Sequence, residues 1–401
     1  MFDYDICVIG GGGRVGLPLS IAFADKGLNV IVLDNNNRIL QLLSSGIMPF
    51  NENGCDEKLK RVLNKTLHPT SNLNMITKSK FVLVTIGTPI DEHLGPRNSD
   101  IYNLFNDISP YLVDGQIVIL RSTVLPGTSK NLNRIIHRIK AKVSITFCPE
   151  RIAEGKALQE LEELPQIVSG FDDHSINEVC QLFRNLTSEV IVLDPMEAEL
   201  AKLYTNAWRY IQFAVANYFY VVADKIGLNY HRIYKAITYR YPRAAGLPGP
   251  GFTAGPCLLK DTMQLLAFTG NTFYLGQAAM LINEWLPNYI VDKLKANYDL
   301  SSKNVGILGM SFKAESDDER DSLSFKLKKL LEFEVAKLYC SDPYVKRDYF
   351  VEPEELLEHS DIIIIATPHD RYRRLKISKD KILIDIWNIA SHYDFNTAHL
   401  K

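Results

Sequence analysis

The stretch VIGGGGRVGLPLSIAFADKGLNVIVLD, Val8 to Asp34, constrains this chain more than any other part of it. It contains G-x-G-x-x-G as Gly11, Gly13 and Gly16, set between an apolar run and a helical segment. Each glycine has a use there: a tight turn, close approach of backbone to a pyrophosphate, and close helix–strand packing. The helix N-terminus offers free N–H groups and the positive end of a dipole to phosphates, and Arg14 and Val15 lie at that entry. Arg14 reads either as a pyrophosphate neutraliser or as an ordinary exposed arginine. Asp34 ends the next strand, where a carboxylate accepts hydrogen bonds from a ribose 2′-OH. Asn35 and Asn36 follow it rather than arginine, which favours NAD over NADP, although Arg38 is near.

The rest of the chain extends this start into an alternating pattern. Asp5–Gly10, Val30–Asp34, Phe81–Gly87, Gln116–Thr123, Ser144–Glu150 and Gln166–Gly170 read as strands. They are continuous apolar runs, as parallel strands covered on both faces require, and helical segments separate them. From Met196 to about Asp224 no strong breaker occurs and apolar residues recur at helical spacing, so one long helix is expected. Helical segments continue to about Tyr298, interrupted by a glycine- and proline-rich loop around Cys257. Strand runs return at Lys303–Lys313, Val335–Pro343, Asp361–His369 and Lys381–Asn388. The expected fold is α/β: two Rossmann-like doubly wound domains joined by a long central helix and helical region. The boundaries are 1–195 for an NAD-binding domain, 196–300 for a central helical region carrying the Cys257 loop, and 301–401 for a second, smaller α/β domain.

Length and composition exclude several classes. With 401 residues, 46% of them apolar and 23% charged, the chain can bury sizeable cores in two or three domains. A formal net charge of −2 gives no electrostatic footprint for nucleic acid or an anionic membrane. The six cysteines form no CxxC pair and no Cys/His cluster at zinc spacing, so no metal is expected. No run approaches 18 apolar residues and no leader pattern opens the chain; a reduced, cytoplasmic protein without membrane contact is the expectation.

Three loops fall at the carboxyl ends of the early strands, where ligands sit in such sheets: Thr85–Pro89, Arg121–Thr128 and Cys148–Gly155. With the glycine motif and the segments EAELAKLYTNAW, GPGFTAGPCLLKD and GMSFKAESDDERDS, they carry a resemblance that covers nearly the whole chain, in order. The chain resembles the UDP-glucose/GDP-mannose dehydrogenase family of NAD-dependent nucleotide-sugar 6-dehydrogenases. The resemblance implies oxidation of a sugar's C6 alcohol to a carboxylate in two steps, consuming two NAD, in a homodimer formed through the central helix.

That chemistry needs a nucleophile. An aldehyde is a poor hydride donor, whereas thiolate addition makes a tetrahedral thiohemiacetal that can donate hydride and leave a thioester for water to cleave. By resemblance Cys257 is that nucleophile. Asp261 orients the hydrolytic water, Thr123 helps to hold it, and Glu154 assists hydrolysis. Lys202 and Asn206, four apart on one helix face, stabilise the C6 oxyanion. The resemblance puts Thr88, Thr123 and Arg320 with the cofactor. It puts Glu150, Arg151, Phe252, Gly255, Lys260, Phe312 and Lys313, with Lys202 and Asn206, at the substrate, and Arg243, which precedes the cysteine loop, reads as a contact to a substrate phosphate or to a neighbouring subunit's site.

Plainer readings stand beside these: Lys202 as an exposed helix lysine, Asn206 as a helix-packing residue, and Lys313 and Arg320 as part of a solvated charge run. Cys7, Cys148, Cys180 and Cys340 read as small buried hydrophobes. The spelling TAGPC ahead of the cysteine and Arg14 in the glycine loop depart from the family pattern. UDP-glucose, giving UDP-glucuronate, is the expected substrate, with a UDP-N-acetylhexosamine or another NDP-hexose as the alternative. A two-electron hydroxyacid dehydrogenase and a non-catalytic nucleotide-sugar-binding regulator are the readings of other classes.

Overall fold

The computed structural model describes residues 2–390 except Glu92, Asn98, Lys140 and Ala254. These residues form two compact units, Met1–Thr205 and Asn206–Lys401, and the boundary falls inside one helix, Pro195–Lys225.

The first unit is built on an eight-stranded sheet of β1 (Tyr4–Ile9), β2 (Val30–Leu33), β3 (Leu67–Thr70), β4 (Ser79–Val84), β5 (Ile117–Leu120), β6 (Ser144–Phe147), β7 (Gln166–Gly170) and β8 (Val190–Val192), in the order β3-β2-β1-β4-β5-β6-β7-β8. Alternate residues enter opposite cores. Ile6, Val8, Val30, Val32, Leu83 and Ile119 pack on one face with Leu17, Phe23 and Phe183. Cys7, Ile9, Ile31, Leu33, Val82 and Leu120 pack on the other with Ile101, Phe105 and Leu132. Burial on both faces is why these strands read as unbroken apolar runs.

Three details depart from the sequence reading. The strand β3 has no apolar run to announce it and contains Pro69, which an edge position tolerates. Strands expected to run on to Gly87, Thr123 and Glu150 end at Val84, Leu120 and Phe147, and the extra residues turn out at the carboxyl edge. Finally, β7 is antiparallel to β6, with Phe147 opposite Ser169. The intervening helix, Ala157–Glu163, has seven residues and rises only about 10 Å, so the chain stays beyond the end of β6 and runs back.

The second unit holds a four-stranded parallel sheet, β9 (Asn304–Leu308), β10 (Lys337–Ser341), β11 (Ile362–Ile365) and β12 (Ile382–Asp385), in the order β10-β9-β11-β12. Val305, Ile307, Ile362 and Ile364 pack with Leu286, Ile290 and Leu294 of the helix Tyr274–Asn297 and with Tyr220 and Val221 of the helix Pro195–Lys225. Leu308, Ile363 and Ile365 face a second core with Tyr339, Leu356 and Tyr372.

The two sheets repeat one device. In the first, Asp34 follows β2 and accepts from the N–H of Gly12, just past β1, at 2.9 Å. In the second, Asp342 follows β10 and accepts from the N–H groups of Met310 and Ser311, just past β9, at 2.6 and 2.9 Å. Asp342 is the more buried and also accepts from Tyr344 N and Val345 N, both at 2.8 Å. Fully buried His369 places Nε2 3.2 Å from the same carboxylate, while its Nδ1 accepts from Glu315 N at 3.1 Å. Burial works against the Asp342 charge, but His369 and the backbone donors override it and hold the carboxyl below its ordinary value.

A depressed carboxyl contributes stability that is present above its unfolded value, about pH 4, and is lost as pH falls through the folded value. Asp342→Asn is expected to cost about 3 kcal/mol in urea unfolding at pH 7. The gap between variant and parent narrows as pH is lowered below 4.

Candidate functional site

In the first unit the glycine motif forms the turn from β1 into the helix Gly16–Asp25. A Cβ on Gly11 would lie 2.6 Å from Val8 O, and one on Gly16 would lie 2.6 Å from both Gly10 O and Thr85 Oγ1. Only glycine fits these positions. Val15 is the helix N-cap residue and supplies no side-chain cap. This cradle, with Asp34 at the end of β2, fits the pyrophosphate and ribose of NAD. Asp34 uses its two oxygens on Gly12 N and Asn36 N, both at 2.9 Å, and each oxygen keeps a further lone pair for a ribose hydroxyl.

Beside the cradle stands the segment Cys148–Gly155. Arg14 Nη1 lies 3.7 Å from Glu154 Oε2, and the Arg14 guanidinium covers the Phe50 ring at 4.9 Å. Glu150 is buried: Arg121 donates to one of its oxygens, and Arg151 N and Ile152 N donate to the other at 2.7 and 3.1 Å. Arg151 itself donates to Pro165 O. Glu150 thus shapes the loop with its own carboxylate. Glu52, which the sequence reading missed, does the same from outside. It is buried and accepts from Gly155 N and Ala157 N, each at 2.8 Å.

The segment Ser122–Gly127 is held at both ends. Thr88 Oγ1 donates to Thr123 O at 2.6 Å and Ser122 Oγ donates to Ile86 O at 2.7 Å. At the far end Gly127, at φ +95°, opens the helix Thr128–Ile136 with no side chain of its own to cap it. Glu199 supplies the cap from another part of the chain. Its carboxylate accepts from Gly127 N at 2.6 Å, Ser129 N at 2.8 Å and Ser129 Oγ at 2.5 Å. Burial pushes the Glu199 carboxyl up from its ordinary value, against these three bonds, which favour the charge. Lys202, one turn further along the same helix, is also buried, which sets it apart from an exposed helix lysine.

The second unit holds the remaining residues. Cys257 is exposed, whereas the other five cysteines are buried. Burial pushes the thiols of Cys7, Cys55, Cys148 and Cys340 up to about 12, so they are inert near neutrality. The sequence put Cys257 in a loop; it is in fact the N-cap residue of the helix Leu258–Phe268. A helix N-terminus favours thiolate over thiol. One turn in, fully buried Asp261 accepts from Asn206 Nδ2 at 2.6 Å, and Lys260 Nζ lies 2.9 Å from its other oxygen. Asn206, Lys260, Asp261 and Cys257 therefore belong to one cluster.

The glycines ahead of Cys257 meet aromatic rings. A Cβ on Gly251, at φ +154°, would collide with the Trp387 indole, and one on Gly255, at φ +103°, with the Phe312 ring. Gly251 N donates to Asn217 Oδ1 at 2.8 Å, and Asn217 Nδ2 donates to Asn283 Oδ1 at 2.9 Å, both asparagines fully buried. Phe252 is buried beside them. Lys313 is half-buried, and its carbonyl accepts from Ser311 Oγ at 2.8 Å. Arg320 is exposed and grips Asp318 through Nε at 2.9 and 3.0 Å and Nη2 at 2.6 Å. Arg243 lies on the exposed turn Pro242–Ala244 with its guanidinium over the Tyr241 ring at 5.2 Å. Among the described residues no group of three or more His, Cys, Asp or Glu side chains is placed to hold a metal, and no helix is long and apolar enough to cross a membrane.

Known proteins match this arrangement from end to end. Models of the UDP-glucose/GDP-mannose dehydrogenase family match residues 4–187 as its NAD-binding domain, 196–285 as its central domain and 306–392 as its UDP-binding domain. A UDP-N-acetyl-D-mannosamine dehydrogenase of Methanocaldococcus jannaschii is 30% identical over 409 residues, spanning 96% of this chain and 92% of its own. The solved UDP-D-ManNAc dehydrogenase of Pyrococcus horikoshii superposes with a TM-score of 0.86 at 28% identity, over 93% of this chain and 91% of that one. A UDP-glucose dehydrogenase of Pyrobaculum islandicum shares the fold, with a TM-score of 0.88 at 24% identity over 95% and 94% of the two chains. With all three family domains present in order, the chain belongs to the UDP-glucose/GDP-mannose dehydrogenase family and is an NAD-dependent nucleotide-sugar dehydrogenase.

Proposed function

We propose that this enzyme oxidises C6 of a UDP-N-acetylhexosamine, of the N-acetylmannosamine kind, to the carboxylate through a thioester on Cys257. The observation that carries the chemistry is the placement of an exposed thiol at a helix N-terminus, one turn from the buried Asp261. The sugar is argued from the relatives: those named for N-acetylmannosamine include one at 30% identity, whereas the structure named for UDP-glucose stands at 24%. UDP-glucose, the expectation from the sequence, becomes the second reading.

When bound, NAD accepts a hydride from C6 at each of the two oxidation steps. The chain's own residues do the rest. Lys202 and Asn206 offer N–H donors to the C6 oxygen as it becomes an alkoxide; one such donor is worth about 3–4 kcal/mol in a transition state. The Cys257 thiolate forms the C–S bond to the aldehyde carbon, and the resulting oxyanion is held by the same donors. After the second oxidation, water held by Thr123 and oriented by Asp261 adds to the thioester carbon. Glu154 assists its deprotonation, the C–S bond breaks and the thiolate is restored. Per sugar, one alcohol, one water and two NAD become one carboxylate, two NADH and three protons.

We further propose the three-part division 1–195, 196–300 and 301–401, and a homodimer through the central helix. Tyr204, Trp208, Tyr218, Phe219 and Val222 are all exposed along Pro195–Lys225, with Trp208 at 61%, a stripe that a second copy would cover.

Three measurements test this reading. With NAD and a panel of UDP-sugars, UDP-N-acetylmannosamine should yield two NADH per sugar and the highest kcat/KM; one NADH per sugar would support a hydroxyacid-type reaction, and binding without NADH a regulator. Cys257→Ser should lower uronate formation by several orders of magnitude while NAD binding persists. Trp208→Glu should convert a dimer to a monomer in light scattering, and an unchanged dimer would place the interface elsewhere.

A further inference from the structure

Glu199 belongs to none of the roles above, yet its setting is unusual. It is a fully buried carboxylate that caps a helix to which it does not belong, using both oxygens on three donors. Those donors follow the turn that carries Thr123, and Glu199 sits one helical turn before Lys202. The near end of that turn is pinned separately by Thr88 and Ser122, and Pro126 stiffens its middle. With both ends held, the residue in between has little freedom. Gly127 cannot cap its own helix and, at φ +95°, cannot readily become a residue that would.

We propose that Glu199 is a positioning residue that locks the Thr123 turn to the helix carrying Lys202, so that the group holding the hydrolytic water keeps its place relative to the oxyanion donor. The inference rests on the roles given to Thr123 and Lys202 under the proposed function. A reaction that runs oxidation and hydrolysis on one carbon needs both groups on that carbon in turn. Displacement of about 1 Å is enough to cost on the order of 100-fold in rate. Glu199 touches no reacting atom and acts only through its hydrogen bonds.

Two variants separate positioning from mere stability. Glu199→Gln replaces one acceptor with an NH2 group that confronts a backbone N–H, and Ser129→Ala removes only the 2.5 Å hydroxyl bond. Both are compared with the parent by circular dichroism and thermal unfolding; should Glu199→Gln fail to fold, Ser129→Ala carries the test. The expected result is a kcat lowered about 10- to 100-fold for Glu199→Gln and several-fold for Ser129→Ala, with KM for NAD within about twofold. Because Glu199 acts through Thr123, Ser129→Ala or Glu199→Gln added to Thr123→Ala should lower kcat little further than Thr123→Ala alone. Folded variants that keep parental kcat, or losses that multiply in the double variant, overturn the proposal while a slow Thr123→Ala leaves the functional reading intact. A Thr123→Ala enzyme with parental kcat overturns both.

Discussion

The hydrogen bond from Asn206 to Asp261, 2.6 Å long and sealed from solvent, is the contact on which the reactive end of the molecule depends. It ties the central helix to the helix that starts at Cys257, and a buried carboxylate is stable there only because its oxygens are answered. Asn206 takes one oxygen and Lys260 approaches the other. The pairing explains why an asparagine, a poor helix former, stands in the interior of a long helix. It also explains why the lysine and aspartate follow the cysteine at three and four residues. That spacing returns both side chains to the turn that Cys257 caps.

Within each unit the chain repeatedly uses carboxylates to organise backbone. Asp34 gathers the glycine turn, Glu52 and Glu150 gather the segment before Gly155, Glu199 gathers the turn after Thr123, and Asp342 gathers the end of the second sheet. Each binds N–H groups that a loop would otherwise leave to water. These loops are irregular and lie at the carboxyl edge of a parallel sheet, so side-chain acceptors do what ladder bonds do within the strands.

How much of this was legible beforehand follows from the range of each interaction. The two α/β blocks, the long helix, the glycine cradle and Asp34 depend on neighbours in sequence, and their periodicity and spacing stand in the text of the chain. Cys257, Lys202, Asn206 and Asp261 were picked out by family resemblance, and the structure adds the burial of the last three and the helix that Cys257 caps. Glu52, Glu199, His369 and Trp387 escaped because each acts on backbone remote in sequence. Asp342 had a signal, since it follows the second strand of its sheet just as Asp34 does. The strand β3 was hidden by Pro69, and the reversal at β7 by a connecting helix whose shortness only the register reveals.

The contact between Gly251 and the Trp387 indole has a kinetic meaning. The conformation of the cysteine loop is set by a ring far along the chain, beyond β12 and after three parallel strand pairings of the second sheet. Pairings of that separation form slowly, because the loop entropy must be spent before the contact returns anything. The helix that presents the thiol can form early from its own sequence, but the turn leading into it cannot take its final shape until the last strand has docked. During refolding, thiol accessibility and native loop geometry should therefore arrive at different times, the reactive group being exposed before it is aimed.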